Sequence, residues 1–266
     1  TRGKERAYLL GTMHIPDPGY RKLHPEIDKA LSESKGIYTE VTMEPSSQMY
    51  AIRLMMNGGK RTLRTLLPPA LYQRSEAYLH RINPMLSMAP FEKMKLWAFS
   101  AALPMLKIQM KYPETPAIDG IIYQTGLTLE KEVGGIERVD EQLAGLNALS
   151  DSEQLLMFEE TLTYLETESD YIETMHRLYT KGDGNVLLTF MHEMMFQKSE
   201  TRALEKRFMQ LLLYDRNQRM AERMIDKLEK NPGKTYLFAF GVMHFLGEKS
   251  VIELLERKGY CVMRMR

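Results

Sequence analysis

Two histidines near opposite ends of this 266-residue chain stand in the same setting. Ala7-Tyr8-Leu9-Leu10-Gly11-Thr12-Met13-His14 returns as Tyr236-Leu237-Phe238-Ala239-Phe240-Gly241-Val242-Met243-His244, each an apolar run closing on Gly-x-Met-His. Such a run reads as a buried strand whose end the glycine marks. Parallel α/β sheets deliver binding residues at these carboxyl ends. Two neutral imidazoles so delivered suit a shared metal ion. Glu40, closing Ile37-Tyr38-Thr39-Glu40, is the candidate third ligand. Two histidines and one carboxylate leave coordination positions open for water and substrate. A carboxylate in so apolar a run also needs a partner, because burying it alone is costly. Gly11 and Gly241 leave room for a sharp turn or for a ligand to approach the backbone. A lone Gly-x-x-His arises easily by chance, and a single strand-end histidine is commonly structural. Two copies in matched contexts, with a strand-end glutamate, favour the metal reading.

The remaining candidates carry less. His24 precedes Pro25 at a helix start and serves the turn. His80 and His176 stand alone on polar helices and read as solvated. His192-Glu193-Met194-Met195-Phe196 begins like the zinc-protease His-Glu-x-x-His but has Phe196 in place of the second histidine, and is rejected. Arg216 lies four residues after Leu212 and four before Met220, so its guanidinium leaves an apolar helix face. A cation there needs a carboxylate or an anionic substrate group, or else snorkels to water; phase alone does not separate these. Asn217 shares a face with Leu213 and Met224 and stands equally open. Asp119 is at a helix start, where a capping role suffices.

The elements that must position these residues are set by periodicity. Residues 7–13 and 36–41 read as strands flanking a helix at 24–31, and residues 235–240, 248–257 and 260–265 repeat the strand–helix–strand order. A third unit joins a helix opening near Ala117-Ile118-Asp119 to a strand within 129–137. Between these units the pattern is helical at 46–58, 69–82 and 90–111, broken by prolines. It is helical again over most of 151–230, where Ser150 and Glu153 form a capping pair and Lys181-Gly182-Asp183-Gly184-Asn185 interrupts. The expected architecture is a single α/β (α+β) domain over 1–266. Its central mixed or parallel sheet comes from units at about 7–45, 117–140 and 235–266, surrounded by helical insertions at about 46–114 and 141–230.

Composition narrows the function. A formal net charge of +1 gives no electrostatic reason to expect nucleic acid as a partner. No apolar run approaches the ~20 residues that span a bilayer. The chain opens on Thr1-Arg2-Gly3-Lys4 without methionine, so a trimmed or mature product is expected, with any signal or anchor lying outside it. The single cysteine, Cys261, cannot form an internal disulfide and reads as a packing residue. The 21 methionines cluster in 85–110 and 191–224; most read as core, although methionine surfaces also suit adaptable ligand grooves.

Assembled, these residues resemble the TraB/GumN/Tiki family nearly end to end. Leu10-Gly11-Thr12-Met13-His14-Ile15-Pro16 resembles its first Gly-x-x-His segment, and Tyr38-Thr39-Glu40-Val41 the strand carrying its glutamate. Asp119 and the run from Gly135 through Glu137 to Gln142 resemble its central Asp and Glu-x-x-x-x-Gln stretch. Tyr214-Asp215-Arg216-Asn217-Gln218-Arg219-Met220 is similar to its Arg-Asn-x-x-Met helix. Phe238-Ala239-Phe240-Gly241-Val242-Met243-His244-Phe245-Leu246-Gly247 is similar to the second Gly-x-x-His of the Tiki branch. The resemblance implies a fold like that of erythromycin esterases and the haem-binding, ChaN-like lipoproteins. It implies a divalent-metal-dependent peptidase with Mn²⁺ or Co²⁺, Zn²⁺ being also compatible, held by His14, Glu40 and His244. Arg216 would stabilise the developing oxyanion or orient Glu40, with Asn217 assisting. Asp119 and Glu137 would orient a ligand histidine or pair with Arg216. Tiki proteins are membrane-anchored and clip Wnt ligands near the amino terminus, so the implied partner is a peptide or protein substrate and the implied location extracytoplasmic or membrane-anchored. The chain resembles a bacterial member more than an animal ectodomain, and a homodimer is compatible. The rival readings are an esterase, and a haem- or iron-binding protein without turnover.

Overall fold

The computed structural model describes residues 1–3, 5–167, 170–195 and 202–265. The chain divides into two compact units. One comprises Thr1–Ser47, Glu114–Gln142 and Arg207–Arg266; the other comprises Gln48–Pro113 and Leu143–Lys206.

The first unit is built on four parallel strands, β1 (Arg6–Thr12), β2 (Gly36–Thr39), β3 (Glu132–Gly135) and β4 (Thr235–Gly241), in the order β1-β4-β2-β3. The C-terminal strand thus inserts between the first two, opposing Thr12 to Gly241 on one side and Thr39 to Ala239 on the other. β4 is central because its side chains are apolar on both faces, as a doubly covered strand requires. Tyr236, Phe238 and Phe240 enter one core with Met220, Met224 and Leu228 of the helix Asp215–Lys230 and with Val251 and Leu255 of the helix Val251–Arg257. Leu237 and Ala239 enter the other, with Ala30 and Leu31 of the helix Pro25–Glu33 and Ile118 and Ile122 of the helix Ile118–Thr128. The α/β architecture with a parallel sheet agrees with the sequence pattern.

Other expectations needed correction. The expected strand at 260–265 does not form. After Gly259 (φ +84°) the chain turns to meet the N-terminus, where Thr1 and Cys261 exchange backbone hydrogen bonds of 2.8 and 2.9 Å. Only Tyr260 is buried; Met263 is 76% exposed, so the run has no second layer to pack against. Cys261 is exposed, not packed. β2 stops at Thr39, which puts Glu40 just beyond the strand. The helix expected at 248–257 starts only at Val251, capped by Ser250.

The second unit is dominated by helices among its described residues. These include Pro69–Ile82, Leu96–Ala102, Asp151–Thr167, Tyr171–Lys181 and Gly184–Met195. Phe99, Phe158, Leu162 and Met88 are fully buried there, whereas Met85 is exposed, so methionine clustering marked core only in part. The helix expected across 90–111 is broken by a 3₁₀ turn, Leu103–Met105, at Pro104. Ser150 and Glu153 exchange the expected capping bonds, and Gly182 closes its helix at φ +70°.

The loop leaving β3 is bound to the carboxyl edge of the sheet. Its backbone continues the ladder, with Ile136 N–H donating to Thr39 O at 2.9 Å and Glu137 N–H to Glu40 O at 2.7 Å. Arg223 grips the same loop, donating to Ile136 O and, through both terminal nitrogens, to Glu141. The Arg223 hydrogen bonds hold the Glu141 carboxyl at about 2. Because the folded value lies below the ordinary ~4.3 of glutamate, this contribution is complete above that value and fades as pH falls towards 2. Glu141→Gln should therefore flatten the acid limb of a stability-versus-pH curve between about pH 4.5 and 2; chemical denaturation at stepped pH measures it, and an unchanged limb would contradict the clamp.

Candidate metal centre

The buried stripe of the helix Asp215–Lys230 runs Arg216, Asn217, Met220, Ala221, Met224, Leu228. It changes from apolar to polar where it reaches the carboxyl edge of the sheet. A π-helical turn, Gln210–Tyr214, precedes it; such turns reset helical phase and recur at functional sites.

Arg216 is buried and does not snorkel to water. Its Nη2 donates to Glu40 Oε2 at 2.6 Å and to Glu137 Oε2 at 2.7 Å, its Nε to Glu137 Oε2 at 2.9 Å, and its Nη1 to Leu212 O at 3.3 Å. Arg219 approaches Glu137 Oε1 at 3.4 Å. Gln142, present in the sequence motif but assigned no role there, donates to Glu40 Oε2 at 2.8 Å. Glu40 Oε1 accepts the Gly241 backbone N–H at 2.6 Å. Burial pushes the Glu40 carboxyl up, but the positive fields of His244, Arg216 and His14 and the Gly241 bond outweigh it and hold the group near 2. At neutral pH His244 is uncharged, so Arg216 and the protonated His14 are the cations that keep Glu40 ionised.

Both histidines turn Nε2 towards that same oxygen, with His244 Nε2 at 3.7 Å and His14 Nε2 at 4.0 Å from Glu40 Oε1. Each ring is aimed through Nδ1. Asn217 Nδ2 donates to Lys249 O at 2.9 Å, which fixes the amide and turns Oδ1 to His244 Nδ1 at 2.6 Å. An amide oxygen only accepts, so His244 carries its proton on Nδ1 and leaves the Nε2 lone pair free. Burial lowers His244 to about 4. Asp119 Oδ2 faces His14 Nδ1 at 3.0 Å, and this carboxylate hydrogen bond raises His14 to about 9. Asp119 sits in the first helical turn but makes no capping bond, the N-cap being Ala117. His14 is exposed and His244 buried, so the site opens to solvent on the His14 side.

The glycines fit this arrangement. A Cβ on Gly241 would lie 2.9 Å from Glu40 Oε1, 3.8 Å from the His244 ring and 3.9 Å from His14 Nε2. The missing side chain therefore leaves a cradle bordered by all three candidate ligands. A Cβ on Gly11 would meet Val242 Cγ2 at 2.9 Å, so that glycine lets the β4 exit pack against β1. The Nε2 to Oε1 separations are too long for hydrogen bonds. They fall inside the ~4.2 Å reach of two ligands bound to one ion at about 2.1 Å each. Among the described residues no group of three His, Cys, Asp or Glu is already placed to hold a metal ion.

Of the other histidines, His80, His176 and His192 belong to the second unit. His24 accepts the Glu26 N–H at 3.3 Å as a helix cap. His80 and His192 are exposed, and His176 is half-buried, not solvated as its helix suggested. Phe196 lies outside the described residues.

A parallel α/β unit thus brings two imidazoles and a buried carboxylate to one strand edge. In comparison with known proteins, the TraB/PrgY/gumN family model matches residues 1–264, and the chain belongs to that family. It is 27% identical to Metalloprotease TIKI1 of Danio rerio over 96% of this chain and 60% of that protein. It is 28% identical to Metalloprotease TIKI2 of Danio rerio over 96% and 57%. It is 27% identical to the Metalloprotease TIKI homolog of Nematostella vectensis over 96% and 64%. The chain thus spans about six-tenths of the length of these relatives. No solved structure matches it. No helix among its described residues is long and apolar enough to cross a membrane.

The buried Glu40–Arg216–Glu137 arrangement is the stability-critical part of the site. Arg216→Met leaves two buried carboxylates short of their cation and should destabilise the fold by about 3–5 kcal/mol. Arg216→Lys keeps the charge but not the fork and should fall between. Denaturant unfolding reads both, and an Arg216→Met protein as stable as the parent would contradict the assignment.

Proposed function

We propose that this chain is a divalent-metal-dependent peptidase whose ion is held by His14 Nε2, His244 Nε2 and Glu40 Oε1. The observation that carries the reading is the convergence of both imidazole Nε2 atoms on one buried carboxylate oxygen beside the Gly241 cradle. The metalloprotease names of its relatives support it. Mn²⁺ or Co²⁺ is the proposed ion, with cleavage near the amino terminus of a protein substrate; imidazole and carboxylate ligands suit several first-row ions. A metal ion there supplies Lewis acidity and a water acidified towards pKa ~7.

The protein's own contribution is orientation. Asn217 and Asp119 hold the two ring tautomers with Nε2 outward, as partners of metal-bound histidines do. Gln142 and Arg216 occupy Glu40 Oε2, which keeps that carboxylate ionised and leaves Oε1 for the ion. Of the two roles considered for Arg216, its contacts favour positioning Glu40, because Glu40, Glu137 and the Leu212 carbonyl already engage its terminal nitrogens. Since Asp119 favours the protonated His14, ion binding there displaces a proton. The exposed side of His14 is the proposed approach for substrate.

Stripping the protein with chelator and restoring Mn²⁺, Co²⁺ or Zn²⁺ in turn, with peptide-library cleavage followed by mass spectrometry, tests this directly. Products should vanish on chelation, return with one or more ions, and be absent from His244→Ala and Glu40→Ala. Cleavage that survives chelation, or esters cut while peptides are left intact, would overturn the proposal.

A further inference from the structure

A cleft of about 470 Å³ lies in the same unit, apart from the three candidate ligands. Its size falls in the range of ligand pockets, ~300–1,000 Å³. One wall is formed by residues 17–23, which continue from His14, and the other by residues from Glu114 to Thr125, the stretch that carries Asp119. The His14–Asp119 hydrogen bond ties these two walls together. Asp17 is three residues from His14 and Pro116 three from Asp119, so Cα separations there cannot exceed about 11 Å. An extended peptide covers that distance in about three residues.

The lining selects among occupants. Tyr20, Leu23 and Ile121 are half-buried, and the first two pack on the core beneath the sheet, giving the cleft an apolar floor. Asp17, Asp28 and Glu114 are opposed by Arg21 and Lys22. Three carboxylates repel a polyanion, and two cations close by disfavour a polycation. A neutral peptide backbone delivering one large apolar side chain meets neither objection.

We infer that this cleft is a specificity subsite that takes a bulky apolar side chain of a peptide substrate, about three residues from the bond cleaved at the His14–Glu40–His244 centre. The inference rests on the peptidase reading for its register but is tested by binding. The probes are fluorescein-labelled Gly/Ser octapeptides carrying a single Phe, Leu or Gly at each position in turn, followed by anisotropy against the parent chain and against His244→Ala. Phe and Leu peptides should bind about tenfold or more tighter than the Gly peptide, as burial of such a side chain implies. That preference should persist in His244→Ala and disappear in Ile121→Trp, which fills the cleft. Ile121→Ala, which enlarges it, should move the preference towards Trp and so reads the same cleft in the opposite direction. A preference that Ile121→Trp and Ile121→Ala both leave unchanged, or binding that ignores the side chain, would overturn the inference. Side-chain-dependent binding without cleavage by the parent supplied in turn with Mn²⁺, Co²⁺ and Zn²⁺ would instead remove the peptidase reading and leave the subsite standing.

Discussion

The site depends on one buried cation. Arg216 stands between Glu40 and Glu137 and hydrogen-bonds both. Three charges buried together are costly unless the geometry is nearly ideal and the remaining lone pairs are met. The surrounding structure meets them. Gln142 shares Glu40 Oε2 with Arg216, the Gly241 N–H takes one lone pair of Oε1, Arg219 attends the outer oxygen of Glu137, and the Glu137 N–H to Glu40 O bond fixes the spacing of the two backbones. The helix Asp215–Lys230 is held against the sheet by Met220, Met224 and Leu228, so apolar packing sets where the guanidinium ends.

Insertion of β4 between β1 and β2 turns this network into a centre. The insertion places Gly241 beside Thr12 and Ala239 beside Thr39, so the exits carrying His14, His244 and Glu40 share one edge. Asn217 then couples the charge network to the candidate ligand set, since it neighbours Arg216 in sequence and holds His244 through Nδ1. One helix start thereby aims both a carboxylate and an imidazole. The exposed His14 and buried His244 give the centre a wet side and a dry side, an arrangement suited to admitting substrate while keeping part of the field unscreened.

Much of this was legible in the sequence because it is written locally. The Gly-x-Met-His repeats, a glutamate closing an apolar strand and an arginine in phase with Leu212 and Met220 are short-range patterns, and all three meet in space. What was illegible depends on long-range pairing. Nothing local announces that β4 separates β1 from β2. Residues 260–265 look like a strand because they open on the apolar run Tyr260-Cys261-Val262-Met263 after a helix and Gly259, but Met263 and Met265 are left exposed. Asp119 read as a cap because a helix start explains an aspartate without any distant histidine. The carbonyl of Lys249 carries no sequence signal as the anchor of Asn217, since any residue supplies one; only its φ of +52° marks the position as unusual.

The central claim is that His14 and His244 serve one ion through Nε2. Nitrogen-15 NMR of the imidazoles during titration with Zn²⁺, a diamagnetic stand-in, tests it most directly. A single equivalent should shift the Nε2 resonances of both residues together and leave both Nδ1 atoms protonated. Independent titration of the two rings, or a shift confined to one of them, would contradict it.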